Sequence, residues 1–259
     1  MPNTIAPRPW QNGLFDAATL IPSSEVDWDG SGWKLYTACP EGAVWCCDDS
    51  DAIPMVPKRD PASGQSISFS PFTVYQITGC AEGTSRLPEN MTLNDTLAAQ
   101  WLATNLQGWV SAGLEVGACG SLGLVDLPDL TPVIGPLSVA QAIARLVENR
   151  QRDGLFDRPT IHMPGGVFPY ISNIDTLLRF VDIAVGPGYG IVNTILPVDN
   201  GGWAYITGPV EYALGPEVEV LGADSLTERR RNYDDSLKER LAAVRFDPCG
   251  SYRTQFAYC

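Results

Sequence analysis

"GGWAYITGPVEYALGPEVEVL" runs from Gly201 to Leu221, and its reading decides the fold. Two apolar stretches rich in strand formers flank Gly208-Pro209, where a glycine-proline pair breaks the extended pattern. The stretch holds no His, Cys, Lys, Arg or Asp. It therefore predicts well-specified sheet without chemistry, and it poses the question of what such a sheet is for.

The 201–221 stretch reads as the most ordered part of the chain, and further elements surround it. "TLNDTLAAQWLATNLQGWVSAGLEVG" (92–117) predicts a helix capped by Thr92 with Asp95 three residues on. Leu93, Leu97, Trp101, Leu102, Leu106, Trp109 and Val110 form its apolar stripe, so both tryptophans are expected in the core. Gly113 is expected to mark fraying. A second helix begins at Ser138, with Gln141 completing a capping box. Val139, Ala142, Ile143, Leu146 and Val147 are its buried face, Arg150 and Arg152 suit its C-terminal dipole, and Asp153-Gly154 stops it. "SGWKLYTACPEG" (31–42) and "GQSISFSPFTVYQITGC" (64–80) read as the arms of a long hairpin whose irregular tip exceeds an ordinary turn. "PTIHMP" predicts a strand ending near His162. "LAAVRFDPCGSYRTQFAYC" predicts a closing hairpin about Pro248-Cys249-Gly250. Residues 1–30 lack any sustained period and read as an extended arm without a core of its own.

Composition excludes several classes. The chain has 259 residues, 44% of them hydrophobic, which suits a folded protein with a real core. No apolar run approaches the ~18 residues of a membrane span. "MPNTIAPRPWQNG" has no charged start followed by an apolar core, so synthesis in the cytoplasm without a signal peptide is expected. The net charge of −13 repels polyphosphates, so nucleic acid is not expected as a ligand over any large face. Seven cysteines without a C-x-x-C spacing imply reduced, partly buried thiols rather than a disulfide framework or a zinc site at Cys39, Cys46 and Cys47.

The search for an active site finds little. His162 is the only histidine, and no Gly-x-Ser-x-Gly elbow or P-loop accompanies it. "GPGYG" (186–190) precedes a strand, not a helix, so it lacks an anion-binding helix N-terminus. "DWDG" (27–30) and "CDDSD" (47–51) read as solvated acidic turns, since no complete calcium loop is present. No catalytic residue, cofactor or metal ligand is assigned. The remaining alternatives are a small hydrolase using His162 with Asp157 or Asp175, and a sugar- or metal-binding module using the acidic loop near Asp48.

The linear order of these parts resembles the major capsid protein of tailed phages, of actinobacterial-phage type, whose fold is shared with encapsulins. "DPASGQSISFSPFTVYQITGC" resembles the return leg of that family's extended loop, and "LNDTLAAQWLATNLQGWV" its spine helix. "RPTIHMPGGVFPYI" and the 201–221 stretch resemble strands of its axial domain and the exit from it. "RRRNYDDSLKERLAAVRFDPCGSYRTQFA" resembles its closing peripheral strands. The resemblance implies an α+β fold: an N-terminal arm (1–30), an extended loop (31–75), a peripheral domain with spine helix (76–128), an inserted axial α/β domain (129–222) and closing peripheral strands (223–259). It also implies a structural role without enzyme activity. The chain would be its own partner in hexamers and pentamers of an icosahedral head around double-stranded DNA, built in the host cytoplasm and found in the virion. Scaffold, portal and decoration proteins are the further partners implied. The rival within phage structure is a decoration or tail tube subunit, and the two helices count against a tail tube. Asp48, Asp49, Asp51, Lys58 and Arg59 at the loop tip, with Arg229, Arg230 and Arg231, are the candidate intersubunit contacts. Some members of the family cross-link a loop lysine to a neighbour's asparagine. Lys58 is the lysine nearest the tip, and the sequence assigns no carboxylate as catalyst.

Overall fold

The computed structural model describes residues 13–29, 32–37, 65–81, 88–170, 182–186, 201–220 and 233–257. A short helix α1 (Leu14–Ala17) leads into β1 (Thr19–Leu20). β2 (Trp33–Thr37) and β3 (Gln65–Phe69) follow, then β4 (Phe72–Ala81) and the long helix α2 (Pro88–Val116). After β5 (Leu137–Ser138) come α3 (Val139–Arg152), β6 (Thr160–Pro164), β7 (Asp182–Gly186), β8 (Gly201–Thr207), β9 (Val210–Val220), β10 (Tyr233–Phe246) and β11 (Tyr252–Ala257).

Two mixed sheets carry the fold. The first has the order β1-β9-β10-β4 and is covered by α2; the second has the order β5-β11-β8-β6-β7 and is covered by α3. β2 and β3 form a separate antiparallel ribbon, with Trp33 opposite Phe69 and Thr37 opposite Gln65. That ribbon is the base of the expected long hairpin.

The stretch 201–221 is where the chain changes sheets. β8 ends at Thr207 in the second sheet, and β9 starts at Val210 in the first. The return crossing lies beside it: Gly208 N–H donates to the Asp247 carbonyl at 3.2 Å, and Asp247 N–H to the Pro209 carbonyl at 3.2 Å. β9 pairs with β10 on one side of this junction and β8 with β11 on the other, both antiparallel. The expected hairpin of 241–259 therefore does not form. β10 and β11 each find a partner in a different sheet, and the turn at 247–251 joins the sheets rather than two paired strands.

Alternation along β8 also joins the cores. Trp203 and Tyr205 point into the first core, while Ala204 and Ile206 point into the second. The first core also contains Leu14 and Val26, both buried, and Phe15 stacks on Tyr212 with ring centroids 4.4 Å apart. β1 pairs in parallel with β9. Residues 13–29, expected to be part of a coreless arm, are thus built into the main core.

α2 departs from expectation in three ways. It starts at Pro88, four residues before Thr92, because proline is tolerated in a first turn whose N–H groups have no intrahelical acceptor. Its buried stripe is Ala98, Leu102, Leu106, Val110 and Leu114, a four-residue repeat that leaves Trp101 and Trp109 about half exposed, at 45% and 49%. Gly113 is not a point of fraying: a Cβ there would lie 2.6 Å from Phe72 Cζ, so its absence lets α2 sit close on β4. α3 matches its reading. Ser138 N–H donates to Gln141 Oε1 at 3.2 Å, Gln141 N–H to Ser138 Oγ at 3.4 Å, and Val139, Ala142, Ile143 and Leu146 are buried.

Candidate assembly surface

The loop-tip residues Asp48, Asp49, Asp51, Lys58 and Arg59, and Arg229, Arg230 and Arg231, lie outside the described residues, as does Asp175. What is described is how the loop is anchored. Trp33 is buried, and its indole N–H donates to the Glu25 carbonyl at 2.9 Å. The Arg245 guanidinium lies 4.6 Å over the Trp33 ring and pairs with Glu211 at 2.5 Å. Phe69, fully buried, meets Phe246 edge to face at 5.5 Å. A cation over an indole and an aromatic pair each add to the apolar burial. The loop therefore leaves a fixed base.

The buried polar groups form ties between elements. Arg150, read as suiting the C-terminal dipole of α3, is buried. Its guanidinium binds Asp157 through Nε at 3.2 Å and Nη2 at 2.7 and 2.8 Å, and reaches the carbonyl of Cys249 at 2.6 Å and of Gly250 at 3.2 Å. The helix end is thereby locked to the turn that joins the sheets. Tyr252 donates to Asp153 from β11, and burial followed by that carboxylate pushes its hydroxyl pKa up to about 12. The Tyr205 hydroxyl donates to Glu115 at 2.7 Å, both groups fully buried. The sequence reading missed Glu115, although a single acid in the otherwise apolar last turn of α2 is the available signal.

His162 is fully buried in β6, with Nε2 3.0 Å from Thr207 Oγ1. Burial lowers its pKa to about 3, so the ring is neutral near pH 7 and is sealed from any external substrate. Asp157, one proposed partner, is held by Arg150. The hydrolase reading has no accessible base in this arrangement. Asp27 Oδ1 accepts from the Asp29 N–H at 3.3 Å, the geometry of an acidic turn. Among the described residues no group of three His, Cys, Asp or Glu side chains could hold a metal. Cys249 is disulfide-bonded, which corrects the expectation of a reduced thiol there, and Cys119 is an exposed free thiol. No described helix is long and apolar enough to cross a membrane.

Several large apolar side chains are exposed among the described residues. Val133 and Ile134 stand fully exposed on the turn before β5. That turn is stiffened by Asp129, whose Oδ1 accepts from both Thr131 N–H at 2.8 Å and Thr131 Oγ1 at 2.6 Å. Phe156 is exposed after α3. A groove of about 380 Å³ is lined by Phe72, Thr73, Val74, Tyr75, Gln76 and Trp109, and Tyr75 is 59% exposed.

No family model and no curated protein sequence matches this chain. Solved structures do. A chain from Mycobacterium phage Ogopogo is 13% identical over 99% of this chain and 97% of its own, with a TM-score of 0.58. The capsid of the native GTA particle is 9% identical over 99% and 94%, at a TM-score of 0.59. The virus-like particle from Pyrococcus furiosus is 9% identical over 93% and 91%, at 0.50. At these identities the likeness is one of fold, and it extends over nearly the whole length of each chain.

Proposed function

We propose that this chain is the repeating subunit of a closed capsid shell of the tailed-phage kind. The observation that carries the reading is the end-to-end likeness to the capsid of the native GTA particle, which leaves almost no part of either chain unmatched. The exposed Val133, Ile134, Phe156, Trp101 and Trp109 support it, since a subunit meeting several neighbours keeps apolar surface in several places. On this reading the first sheet with α2 is the peripheral unit and α2 its spine. The second sheet with α3 is the axial unit, and 31–75 is the extended loop. Asp48, Asp49, Asp51, Lys58, Arg59 and Arg229 to Arg231 act between copies in hexamers and pentamers. Double-stranded DNA is enclosed without specific contacts, and scaffold, portal and decoration proteins are the further partners. The sheets at 201–221 then serve geometry, holding two units at a fixed angle so that identical copies tile.

Sedimentation velocity over a concentration series tests the reading. Ring-sized and shell-sized species growing with concentration are expected. A single compact monomer at every concentration, alone and with candidate scaffold, would oppose it.

A further inference from the structure

We propose that the crossing between the two sheets is an acid-released lock: His162 and Thr207 hold it shut from β6 and β8, and adding a proton to His162 opens it while the sheets stay folded. The lock is independent of the shell reading. Its side chains come together by alternation. Ile161 and Met163 on β6, and Ala204 and Ile206 on β8, face the second core, so His162, Tyr205 and Thr207 lie on the other face of that sheet. His162 stands opposite Tyr205 in the ladder, and Thr160 opposite Thr207, the last residue of β8 before the crossing. His162, Tyr205 and Thr207 are fully buried.

The bonding fixes where the hydrogens lie. Thr207 Oγ1 donates to the Gly208 carbonyl at 2.9 Å. A hydroxyl has one hydrogen, so Thr207 accepts from His162 Nε2, 3.0 Å away. His162 is therefore the Nε2–H tautomer, and an added proton goes to Nδ1. Through Thr207 the ring holds the carbonyl of Gly208, where the chain leaves the second sheet. Arg150 closes the same place from beneath. A Cβ on Gly208 would lie 3.2 Å from Arg150 Nη2, and Arg150 Nη1 donates to the Cys249 and Gly250 carbonyls of the return crossing.

The crossing is lightly tied. Among the described residues two backbone bonds of 3.2 Å join its strands, Gly208 N–H to the Asp247 carbonyl and Asp247 N–H to the Pro209 carbonyl. β10, by contrast, pairs with β4 without a break from Tyr233 to Ala242. Burial holds the His162 pKa down at about 3, against 6.5 for a free ring. An opening that wets the ring restores the ordinary value, so opening is favoured as pH falls below 6.5. His162 is bonded to the end pair of the β6–β8 ladder, so releasing the crossing frees it with little loss of sheet. The other titratable and charged groups on the elements around the ring are Tyr205 on β8, with its hydroxyl on Glu115 of α2, and Asp182 on β7, opposite Thr160. At the crossing itself stand Asp247, whose Oδ1 accepts from Cys249 N–H at 3.0 Å, and Arg150 with Asp157. A variant at His162 separates the ring's share from theirs.

Hydrogen exchange of the full chain, stepped from about pH 7 to 3.5 and corrected for intrinsic rates, tests the lock. The amides of Gly208 and Asp247 should lose protection about one pH unit above those of β10 paired with β4. His162→Gln keeps an N–H donor for Thr207 and cannot take the charge, so it should bring the two midpoints to within about 0.3 unit. Thr207→Val removes the acceptor and should speed exchange of Gly208 about tenfold already at pH 7, with β10 unchanged. Loss of protection at one pH throughout the parent chain would overturn the lock, even where His162→Gln fails to fold. A crossing that opens at the same pH in His162→Gln as in the parent would overturn it too.

Discussion

Arg150 is the buried member of its ion pair, with 2% of its side chain exposed, while Asp157 is 42% exposed. The asymmetry orders two substitutions. Asp157→Ala strands a guanidinium where water does not reach, and should cost about 3–5 kcal/mol. Arg150→Met leaves a carboxylate that can rehydrate and two carbonyls without their donor, and should cost about 2–3 kcal/mol. Urea unfolding of both variants checks the order, and a milder Asp157→Ala would contradict it. His162 makes a pH prediction. The unfolded ring takes up its proton near 6.5 and the folded ring only near 3. Between those values the unfolded state holds more protons, so the contribution is complete above pH 6.5 and is lost as pH falls toward 3. At roughly 1.4 kcal/mol per unit the loss approaches 5 kcal/mol at the acid end. Stability measured from pH 7 to 4 should fall less steeply in His162→Gln than in the parent chain. Equal slopes would place the acid sensitivity elsewhere.

Elements show which signals were local. α3 was legible in its bounds, because its capping box, apolar face and glycine stop lie within 17 consecutive residues, Ser138 to Gly154, but the burial of Arg150 and the partial exposure of Val147 were not. α2 was legible as a helix but not in orientation. Trp101 and Trp109 sit one residue before Leu102 and Val110 on the rim of the stripe, and hydrophobicity cannot say which side of a rim meets the sheet. β10 and β11 read as a hairpin because turn chemistry is local, whereas their true partners, β9 and β8, lie earlier in the chain. Residues 13–29 were read as arm because Leu14, Phe15, Ile21 and Val26 follow no period; they fill gaps left by other elements. None of the candidate contact residues at 48–59 or 229–231 is described, and the exposed apolar side chains that support the shell reading are ones the sequence did not single out for it. Two predictions belong here. Leu14→Ala should cost about 2–5 kcal/mol, as for a full-size core residue. A melting temperature unchanged by it would return that segment to the arm. Gly113→Ala should destabilise by about 1–3 kcal/mol through the clash with Phe72, although alanine favours helix. Adding Phe72→Leu should recover part of the loss, and an unrelieved double variant would rule out that contact as the cause.

For the whole molecule, the two sheets with their helices are joined by Gly208-Pro209, the turn 247–251 with Arg150 beneath it, β8 facing both cores, and the Tyr205–Glu115 bond to α2. A chain whose two sheets are joined in this way, with exposed apolar residues on separate elements, is suited to repeated contacts. Individual surface ion pairs are worth only about 0.2–1 kcal/mol, but a shell repeats each one. Reversing Lys58 and Arg59 together to glutamate should leave the subunit's circular dichroism unchanged while assembly fails or becomes salt-dependent, because salt screens repulsion beyond ~8 Å. Normal assembly of that variant at low salt would remove the loop tip from the interface. The central claim is tested most directly by electron microscopy of the purified chain over a range of concentration and salt. The account predicts closed shells of uniform diameter, or the rings from which they are built. Fields containing only single compact subunits under all those conditions, with candidate scaffold present as well, would contradict it.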